Sequence, residues 1–258
     1  MNTQELILDD GFCFGLGAFE TIAVMYGQPV FLNAHLKRLK EALDFFGIPN
    51  PVTTEWVNEI LKKHPMKNGV LKIMVSQENC LWSCRKNPYT LADYERGFVL
   101  RTSPVRRNET SPLTCHKTLC YGENILEKRR AASQGFDEPV FLNTRGQLTE
   151  GAVTNLFFVK KGRLITPSLS CGLLPGTVRD YLISRYDVEE RVVFPEEVDD
   201  FDEAFVTNAL MGMLPVCQLD DIAYGEKSVW EAVWRDYHDF LQREFGCREA
   251  EYRKSPRY

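Results

Sequence analysis

The segment around Lys117 is the first in the chain whose residue types could support covalent chemistry. Residues 113–119 (LTCHKTL) fit a β-strand, and alternation then places Lys117 on the same face as Leu113 and Leu119. An ammonium group that points into an apolar layer is costly, so its pKa falls and the free amine becomes a nucleophile or a base. The other interpretation is a lysine on an edge strand whose amine extends to water.

Two further segments could contribute to a binding site. Glu150 follows a predicted strand end, where a carboxylate can be directed into a cleft, although an exposed turn fits the same pattern. Residues 172–177 (GLLPGT) end where a helix begins. The free N–H groups of a first helical turn, with the helix dipole, can bind phosphate. The segment lacks the Gly-Lys-Ser/Thr of a Walker loop, and a plain Gly-Pro turn is the alternative.

The elements that would position these residues fall on either side of a polar segment. Before it, the patterns predict strands at 19–26, 29–32, 70–75 and 98–102, with helices beginning at Asn33 and at Thr53 or Thr54. The segment 103–112 (SPVRRNETSP) is bracketed by prolines and is typical of a linker.

After the linker the patterns again mix strands with helices. They predict strands at 113–119, 139–143, 147–150, 156–159, 163–166, 203–207 and 214–218, with helices at 124–134, after Gly176 and from Ser228. Ser228 and Glu231 have the spacing of a capping box. We therefore expect an α+β protein with two mixed α/β domains, an N-terminal one over 1–104, a linker over 105–113 and a C-terminal one over 114–258, with a frayed tail from Arg248.

Composition excludes several classes of protein. The 258 residues are 44% hydrophobic and 26% charged, which suits a globular protein with a core. The net charge is −5 and no dense Lys/Arg tract occurs, so neither nucleic acid nor an anionic membrane is an expected partner. No apolar stretch is long enough to span a bilayer. The first ten residues contain acidic side chains and no basic one, unlike a signal peptide, so we expect a cytoplasmic protein.

The eight cysteines do not form a recognisable framework. None of them is in a Cys-x-x-Cys pair, and the four histidines complete no zinc pattern, so no metal site is predicted. In a chain of this size that begins without a leader, cysteines are better explained as free thiols.

Taken in their order along the chain, these segments resemble the fold-type IV pyridoxal-phosphate enzymes, also called class IV aminotransferases. The matching segments are DGFCFGLGAFET at 10–21, HLKRL at 35–39, Lys117 with Tyr121 and Asn124, GFDE at 135–138, LTEG at 148–151 with NLF at 155–157, GLLPGTVR at 172–179 and EAFVTNALMGMLPV at 203–216. The resemblance implies a fold of the D-amino-acid aminotransferase-like type, with pyridoxal 5'-phosphate bound in the cleft between two domains.

The resemblance also implies a role for each matching residue. Lys117 would bind the cofactor covalently and then carry protons. Glu150 would contact the pyridine nitrogen and keep it protonated, so that the ring can accept electrons from the substrate carbon. Leu174 would lie against the face of the ring.

The phosphate of the cofactor would have its own set of residues. The resemblance implies that Arg38 reaches it from the first domain. Thr177 and Val178 would offer their backbone N–H groups at a helix N-terminus. Asn208 and Ala209 would close the other side.

Two segments favour the lyase branch of the family, which eliminates pyruvate from aminodeoxychorismate to give 4-aminobenzoate for folate synthesis. Thr21 stands where that branch has a threonine near the reacting carbon, and could assist protonation of the leaving group, although a β-branched residue also suits a hairpin. Residues 208–211 (NALM) look like the lyase segment at this point. The alternatives are a transaminase acting on D-amino or branched-chain acids, and a non-catalytic protein that binds the cofactor.

The substrate and the assembly state lead to two further expectations. A substrate carboxylate needs a cation, and Arg85 and Arg107 are the candidates, each with a surface role as its alternative. Members of the family pair so that a partner borders each active site, so we expect a homodimer. Phe12, Phe14 and Phe19 would be buried against the partner, unless they only cover the domain's own sheet.

Overall fold

The computed structural model of the protein describes residues 5–246. Within these residues the strands form a four-stranded sheet and a nine-stranded sheet, and helices accompany both. The expected α+β class with two mixed units is therefore confirmed. The tail from Arg248 lies outside the described residues.

The elements are numbered in chain order. The helices are α1 (Asp10–Phe14), α2 (Leu32–Phe46), α3 (Thr54–Lys63), α4 (Leu91–Arg96), α5 (Gly122–Ser133), α6 (Thr177–Arg185) and α7 (Ser228–Phe245). The strands are β1 (Ala18–Met25), β2 (Gln28–Pro29), β3 (Asn68–Val75), β4 (Cys80–Arg85), β5 (Phe98–Arg107), β6 (Glu138–Asn143), β7 (Leu148–Gly151), β8 (Asn155–Lys160), β9 (Arg163–Pro167), β10 (Val188–Arg191), β11 (Glu203–Asn208), β12 (Gly212–Leu219) and β13 (Ile222–Ala223).

The four-stranded sheet is antiparallel, in the order β2-β1-β3-β4. Alternation gives it two different faces. Ile22, Leu71 and Ile73 project to one face and form a core with α2 and α3. In the same register Thr21 lies opposite Lys72 on the other face, which is directed toward the nine-stranded sheet and carries polar side chains.

Helices α2 and α3 begin in different ways. The hydroxyl of Thr53 accepts a hydrogen bond from the backbone N–H of Trp56, so the predicted cap of α3 is confirmed. Asn33, by contrast, does not cap α2. That helix begins after Phe31, whose ring packs at a tilt against that of Tyr181 and stacks on that of Phe240, so apolar packing rather than a side-chain cap fixes its start.

The nine-stranded sheet curves into a closed ring. Its order is β10-β9-β8-β11-β12-β5-β6-β7, β7 pairs back to β8, and the ninth strand, β13, pairs with β12 outside this order. Strands β8, β11, β12, β5, β6 and β7 therefore enclose a barrel core, which Leu100, Phe158 and Leu214 help to fill. Helices α6 and α7 cover the outside of β11.

The start of α7 differs from the prediction. Ser228 is its first helical residue rather than its cap, and Glu231 makes no capping box. The carboxylate of Glu203 on β11 instead accepts hydrogen bonds from the backbone N–H groups of Val229 and Trp230, each at 2.8 Å. A residue distant in sequence therefore supplies the acceptor.

The expected linker is wrong in its first part. Residues 103–107 complete β5, which pairs with β6 up to Arg107, and a bulge between Thr102 and Arg106 accommodates the proline. The hydroxyl of Ser103 is buried and donates to Glu127 at 2.7 Å, which explains why a polar segment can enter a barrel. The chain consequently passes from one sheet to the other between Arg85 and Phe98, before the predicted boundary at residue 104.

The strand predicted over 113–119 is also wrong. Ser111 caps a 3-10 helix over Pro112–Cys115, where proline suits the first helical turn. Leu113 and Cys115 are exposed, so alternation was not a valid argument for burial of Lys117.

The seven cysteines among residues 5–246 are all free. No helix of residues 5–246 has both the length and the apolar composition to cross a bilayer.

Candidate active site

A cavity of about 420 Å³ lies between the two sheets and collects most of the residues singled out above. The polar face of the four-stranded sheet forms one wall, and the ends of barrel strands form the other. The predicted site residues that line it are Thr21, Arg38, Arg85, Lys117, Glu150, Leu174, Thr177, Asn208 and Ala209. Arg107 and Val178 do not line it.

Lys117 reaches the cavity because its segment runs beside the start of β1. Its carbonyl accepts a hydrogen bond from the N–H of Phe19 at 2.9 Å, and the N–H of Leu119 donates to the carbonyl of Gly17 at 2.9 Å. A Cβ at position 17 would lie 2.4 Å from the carbonyl oxygen of Val75 and 2.7 Å from Cδ1 of Leu119, which follows Lys117 in the same segment. Glycine therefore permits the close approach that fixes the backbone of Lys117.

The amine of Lys117 lies between two aromatic rings. Its Nζ is 4.4 Å from the ring centre of Phe19 and 5.0 Å from that of Tyr121. Desolvation, with the nearby Arg38 guanidinium, lowers the pKa of the amine from 10.5 to about 8, against the opposing influence of Glu20 and Glu150. A substantial fraction of the amine is thus neutral near physiological pH, as a nucleophile or base requires.

Glu150 projects from β7 and is buried, with 7% of its surface exposed. Its Oε2 accepts hydrogen bonds from the backbone N–H of Leu174 at 3.1 Å and from the Asn155 amide at 3.3 Å. Burial raises the pKa of the carboxyl to about 7, although the Arg107 guanidinium acts in the opposite direction. A cationic group opposite Glu150 would restore the carboxylate.

The structure corrects the expectation for Arg107. Its guanidinium is buried behind Glu150, with Nη2 3.6 Å from Oε1 of that carboxyl. Its Nη1 donates to Asn124 at 3.1 Å, and the group stacks on the ring of Phe141. Arg107 therefore supports Glu150 and does not line the cavity, because its guanidinium is held by Phe141, by Asn124 on α5 and by Glu150.

Arg38 belongs to a buried cluster that the sequence did not reveal. Its Nε and Nη2 donate to the two oxygens of Glu20 at 2.7 and 2.8 Å, and Nδ1 of His35 lies 2.7 Å from the same carboxylate. Glu20 is fully buried, and these cationic and polar partners hold its pKa well below the usual range. Burial lowers the pKa of His35, so a neutral ring that donates from Nδ1 fits the contact. The cluster fixes the direction of the Arg38 guanidinium.

The remaining Nη1 of Arg38 donates to the carbonyl of Pro175 at 2.9 Å, which brings it to the first turn of α6. Gly176 is the N-cap residue just before that helix, and no side chain caps the first turn. The hydroxyl of Thr177 is buried without a hydrogen-bond partner. The side chain of Val178 points into the core, which leaves only its backbone N–H for a ligand.

The turn after β11 forms another part of the cavity wall. The side-chain oxygen of Asn208 accepts hydrogen bonds from the backbone N–H groups of Leu210 and Met211, at 2.9 and 3.0 Å. Its amide donates to the hydroxyl of Tyr89 at 3.0 Å. Asn208 therefore shapes the turn, and it presents Ala209 to the cavity.

Comparison with known proteins places this geometry in a family. The profile of the family described as "Amino-transferase class IV" matches residues 17–219. The chain belongs to this family of pyridoxal-phosphate-dependent enzymes, as expected from the resemblance.

Individual relatives carry two different activities. The chain is 27% identical over 265 residues to the aminodeoxychorismate lyase of Bacillus subtilis, covering 88% of this chain and 87% of that protein. It is 34% identical over 251 residues to the branched-chain-amino-acid aminotransferase of Salmonella typhimurium, covering 85% and 81%. The crystal structure of 4-amino-4-deoxychorismate lyase from Pseudomonas aeruginosa superposes with a TM-score of 0.79 at 26% identity, covering 95% and 97%.

The cavity fits the cofactor of the family. The unpartnered hydroxyl of Thr177, the uncapped first turn of α6 and the directed guanidinium of Arg38 converge where a phosphate would bind. Glu150 offers a carboxyl for a ring nitrogen, and Lys117 offers an amine for an aldehyde carbon. A Cβ at Gly176 would lie 2.0 Å from the side-chain oxygen of Asn155, so glycine keeps this turn close to Glu150.

Sequence reasoning missed several cavity and supporting residues. Glu20, His35 and Asn155 lie within the segments that resemble the family but were not predicted as site residues, and neither was Lys72. A charged residue within an apolar strand was the available signal for Glu20 and Lys72. Phe19 was expected at a partner interface, but 7% of it is exposed and its ring packs at 5.1 Å from that of Tyr121, so that expectation is wrong.

Proposed function

We propose that the protein is an aminodeoxychorismate lyase, which eliminates pyruvate from 4-amino-4-deoxychorismate and releases 4-aminobenzoate for folate synthesis. The observation that carries the proposal is the position of Thr21. Its side chain projects from β1 into the cavity, on the same face as Phe19, whose ring contacts the amine of Lys117. An elimination needs a proton donor for the leaving enolpyruvyl oxygen, and a hydroxyl beside the base can assist. A branched-chain side chain would make no use of a hydroxyl there.

The residues around the cavity have separate roles in the proposed reaction. Bound pyridoxal phosphate supplies an electron sink for the substrate carbon. Lys117, as a free amine, would remove the ring proton next to the nitrogen. The carbon–oxygen bond to the enolpyruvyl group would break, the leaving group would take up a proton to become pyruvate, and the ring would become aromatic. Glu150 would hold a proton at the pyridine nitrogen, while Arg38, Thr177 and the N–H of Val178 would hold the phosphate.

A second observation supports the lyase over other members of the family. The turn at residues 208–211 is fixed by the Asn208 side chain, which bonds the N–H groups of Leu210 and Met211. This places Ala209 and Leu210 against the cavity rather than the hydroxyl residues that transaminases tend to carry here. The B. subtilis lyase relative is consistent with this choice.

Transamination of D-amino or branched-chain acids is the alternative. The Salmonella relative, at 34% identity, favours it, and that reaction would use Lys117, Glu150 and Arg38 in the same way. We propose in addition that the protein works in the cytoplasm as a homodimer. Phe12 and Phe14, at 65% and 70% exposed, offer apolar surface to a partner.

The deciding experiment compares two reactions of the purified, cofactor-loaded protein. Enzymatically prepared aminodeoxychorismate is supplied in one assay, and formation of 4-aminobenzoate and pyruvate is followed. A panel of D- and L-amino acids with 2-oxoglutarate is supplied in the other. We expect 4-aminobenzoate and pyruvate in equal amounts, with a Thr21→Val variant slower in that reaction. Efficient transamination without 4-aminobenzoate would show that the lyase assignment is wrong.

A further inference from the structure

A second cavity, of about 190 Å³, lies on the other side of the turn at residues 208–211 from the cavity described above. Ala209 and Leu210 line both cavities, so this turn is the wall between them. The end of β1 and helices α4 and α7 form the other walls. Ala23 and Met25 line it from β1, and alternation places them on the same face of the sheet as the larger cavity.

Aromatic rings make up much of the lining of the second cavity. Tyr94 contributes from α4, and Trp234, Tyr237 and His238 contribute from α7. The ring centres of Tyr94 and Trp234 are 6.4 Å apart, and the ring of His238 packs edge-on against Trp234 at 4.5 Å. No Asp, Glu, Lys or Arg of residues 5–246 lines this cavity. Such walls favour a planar ring without charge, because nothing beside it would compensate an ion.

Tyr237 brings an unused hydrogen-bond donor to this lining. Only 4% of the residue is exposed, and its hydroxyl makes no hydrogen bond with any of residues 5–246. Burial raises the pKa of the phenol well above its usual range, so the hydroxyl keeps its proton. A Cβ at Gly212 would lie 2.5 Å from Cε1 of Tyr237, so glycine leaves the space that this ring occupies. A buried donor without a partner is costly, and an acceptor on a ligand would remove that cost.

His238 adds a second polar group to the same walls. It is half-buried, and within the described part of the chain its ring contacts Trp234 but makes no hydrogen bond. Burial lowers the pKa of the imidazole, against the opposing charge of Asp239, so the ring is neutral at physiological pH. A neutral imidazole can accept a hydrogen bond through one nitrogen. Tyr237 and His238 together therefore suit a group that both accepts and donates, as an amide does.

The size and the position of the second cavity suit a small molecule. Asn68 and Asn87, both exposed, stand at its rim, so it opens to the surface. A closed apolar cavity of about 150 Å³ holds benzene, so the volume here is sufficient for one substituted ring. The larger cavity differs in chemistry, because Arg38, Lys72 and Lys117 line it.

We infer that the second cavity is a binding site for an uncharged aromatic molecule that has one ring and a polar group of the amide type. The rings of Tyr94 and Trp234 would contact the ligand ring, and the Tyr237 hydroxyl would donate to its carbonyl oxygen. The inference goes beyond the proposed function and does not depend on it, because neither Lys117 nor Glu150 lines this cavity.

Binding of benzamide to the cofactor-loaded protein tests the site without turnover. Benzoate, which has the same shape but carries a charge, is the second probe, and calorimetry gives a dissociation constant for each. The test variant is Tyr237→Phe, which removes one hydroxyl and no hydrogen bond. Tyr181→Phe is the matched control, since its hydroxyl is also buried without a partner but lies outside the second cavity. Thr21→Val removes a hydroxyl from the larger cavity instead.

We expect benzamide to bind the wild-type protein, and its affinity to fall about fivefold in Tyr237→Phe. Its affinity should be unchanged in Tyr181→Phe and in Thr21→Val, and that of benzoate should be unchanged in Tyr237→Phe. Thermal melting of Tyr237→Phe should match the wild type, because the hydroxyl has no partner to lose.

Three results would overturn the inference. They are failure of benzamide to bind, an affinity for benzamide that Tyr237→Phe leaves unchanged, and an equal loss in Thr21→Val, which would place the probe in the larger cavity. A loss for benzoate in Tyr237→Phe as large as that for benzamide would refute the selection of an uncharged ligand.

Discussion

Replacement of Lys117 by methionine should stabilise the cofactor-free protein at neutral pH. The wild-type amine is charged in the unfolded chain, with a pKa of 10.5, but its pKa in the folded protein is about 8. The folded state therefore bears the cost of a poorly solvated cation at every pH below about 8. Methionine has a similar length, carries no charge and adapts to the space between the rings of Phe19 and Tyr121.

The size of the effect follows from the pKa. A difference of one pH unit corresponds to about 1.4 kcal/mol, so the lowered pKa of Lys117 represents about 3 kcal/mol. Because the side chain is partly accessible through the cavity, we expect Lys117→Met to raise the free energy of unfolding by about 2 kcal/mol at pH 7. Lys117 binds fewer protons in the folded protein than in the unfolded chain. The free energy of unfolding of the wild-type protein therefore rises relative to that of the variant as the pH rises from 8 toward 10.5. The advantage of methionine should shrink over that interval.

Urea unfolding of the two cofactor-free proteins at pH 7, 8, 9 and 10 measures this difference directly. Lys86→Met serves as the control, since Lys86 is exposed and its replacement should change stability by less than about 0.5 kcal/mol at each pH. A stability difference between Lys117→Met and wild type that stays constant from pH 7 to 10 would refute the argument that a desolvated amine is responsible.

Four further predictions concern the cofactor and the assembly. Borohydride reduction of the protein loaded with pyridoxal phosphate, followed by peptide mapping, should label Lys117. A label on another lysine would contradict the proposal that Lys117 binds the cofactor. Arg38→Ala should weaken cofactor binding by about 1.5–3 kcal/mol, measured by titration with pyridoxal phosphate. Glu20→Gln should weaken cofactor binding as well, and it should also lower the free energy of unfolding by about 3–5 kcal/mol, because it leaves the buried Arg38 guanidinium unpaired. Glu150→Gln should retain the cofactor but turn over slowly, since an amide cannot hold the ring proton; full activity would exclude the role. Light scattering should give twice the chain mass of 29.7 kDa, and a fully active monomer would contradict the homodimer.

The residues proposed to act on the cofactor have signals that are local in the sequence. Residues 172–177 predict a turn followed by a helix, and Glu150 follows a predicted strand end. Each pattern had a plain structural alternative, and only the resemblance to the family assigned the two a role. Thr53 capped its helix for the same reason: a cap depends on residues within one turn. The pattern around Lys117 left a desolvated amine and an edge-strand lysine both open; the amine is desolvated beside two rings, but the strand from which this was argued does not form.

Residues whose environment depends on distant partners could not be assigned in this way. Glu203 caps α7 across 26 residues, and no pattern near Ser228 records it. Arg107 appeared to be in a polar linker, because the letters SPVRRNETSP do not show that Ser103 and Arg107 find buried partners on α5. Polar segments enter a core only where such partners exist, and those are fixed by folding.

The sequence by itself determined the class of this protein, because the family segments that carry the resemblance are each short and contiguous, and it nominated Lys117 and Glu150 for the cofactor. Tertiary structure alone decided which charges are compensated. Glu20 lies on the helix-covered face of β1 and neutralises Arg38, whereas Lys72, directly across from Thr21, lines the cavity and has no ion pair with an acid of residues 5–246. The period of a strand assigns neighbouring residues to opposite faces, but only the packing of helices and barrel against those faces decides which charge is paired within the protein and which is left for a ligand.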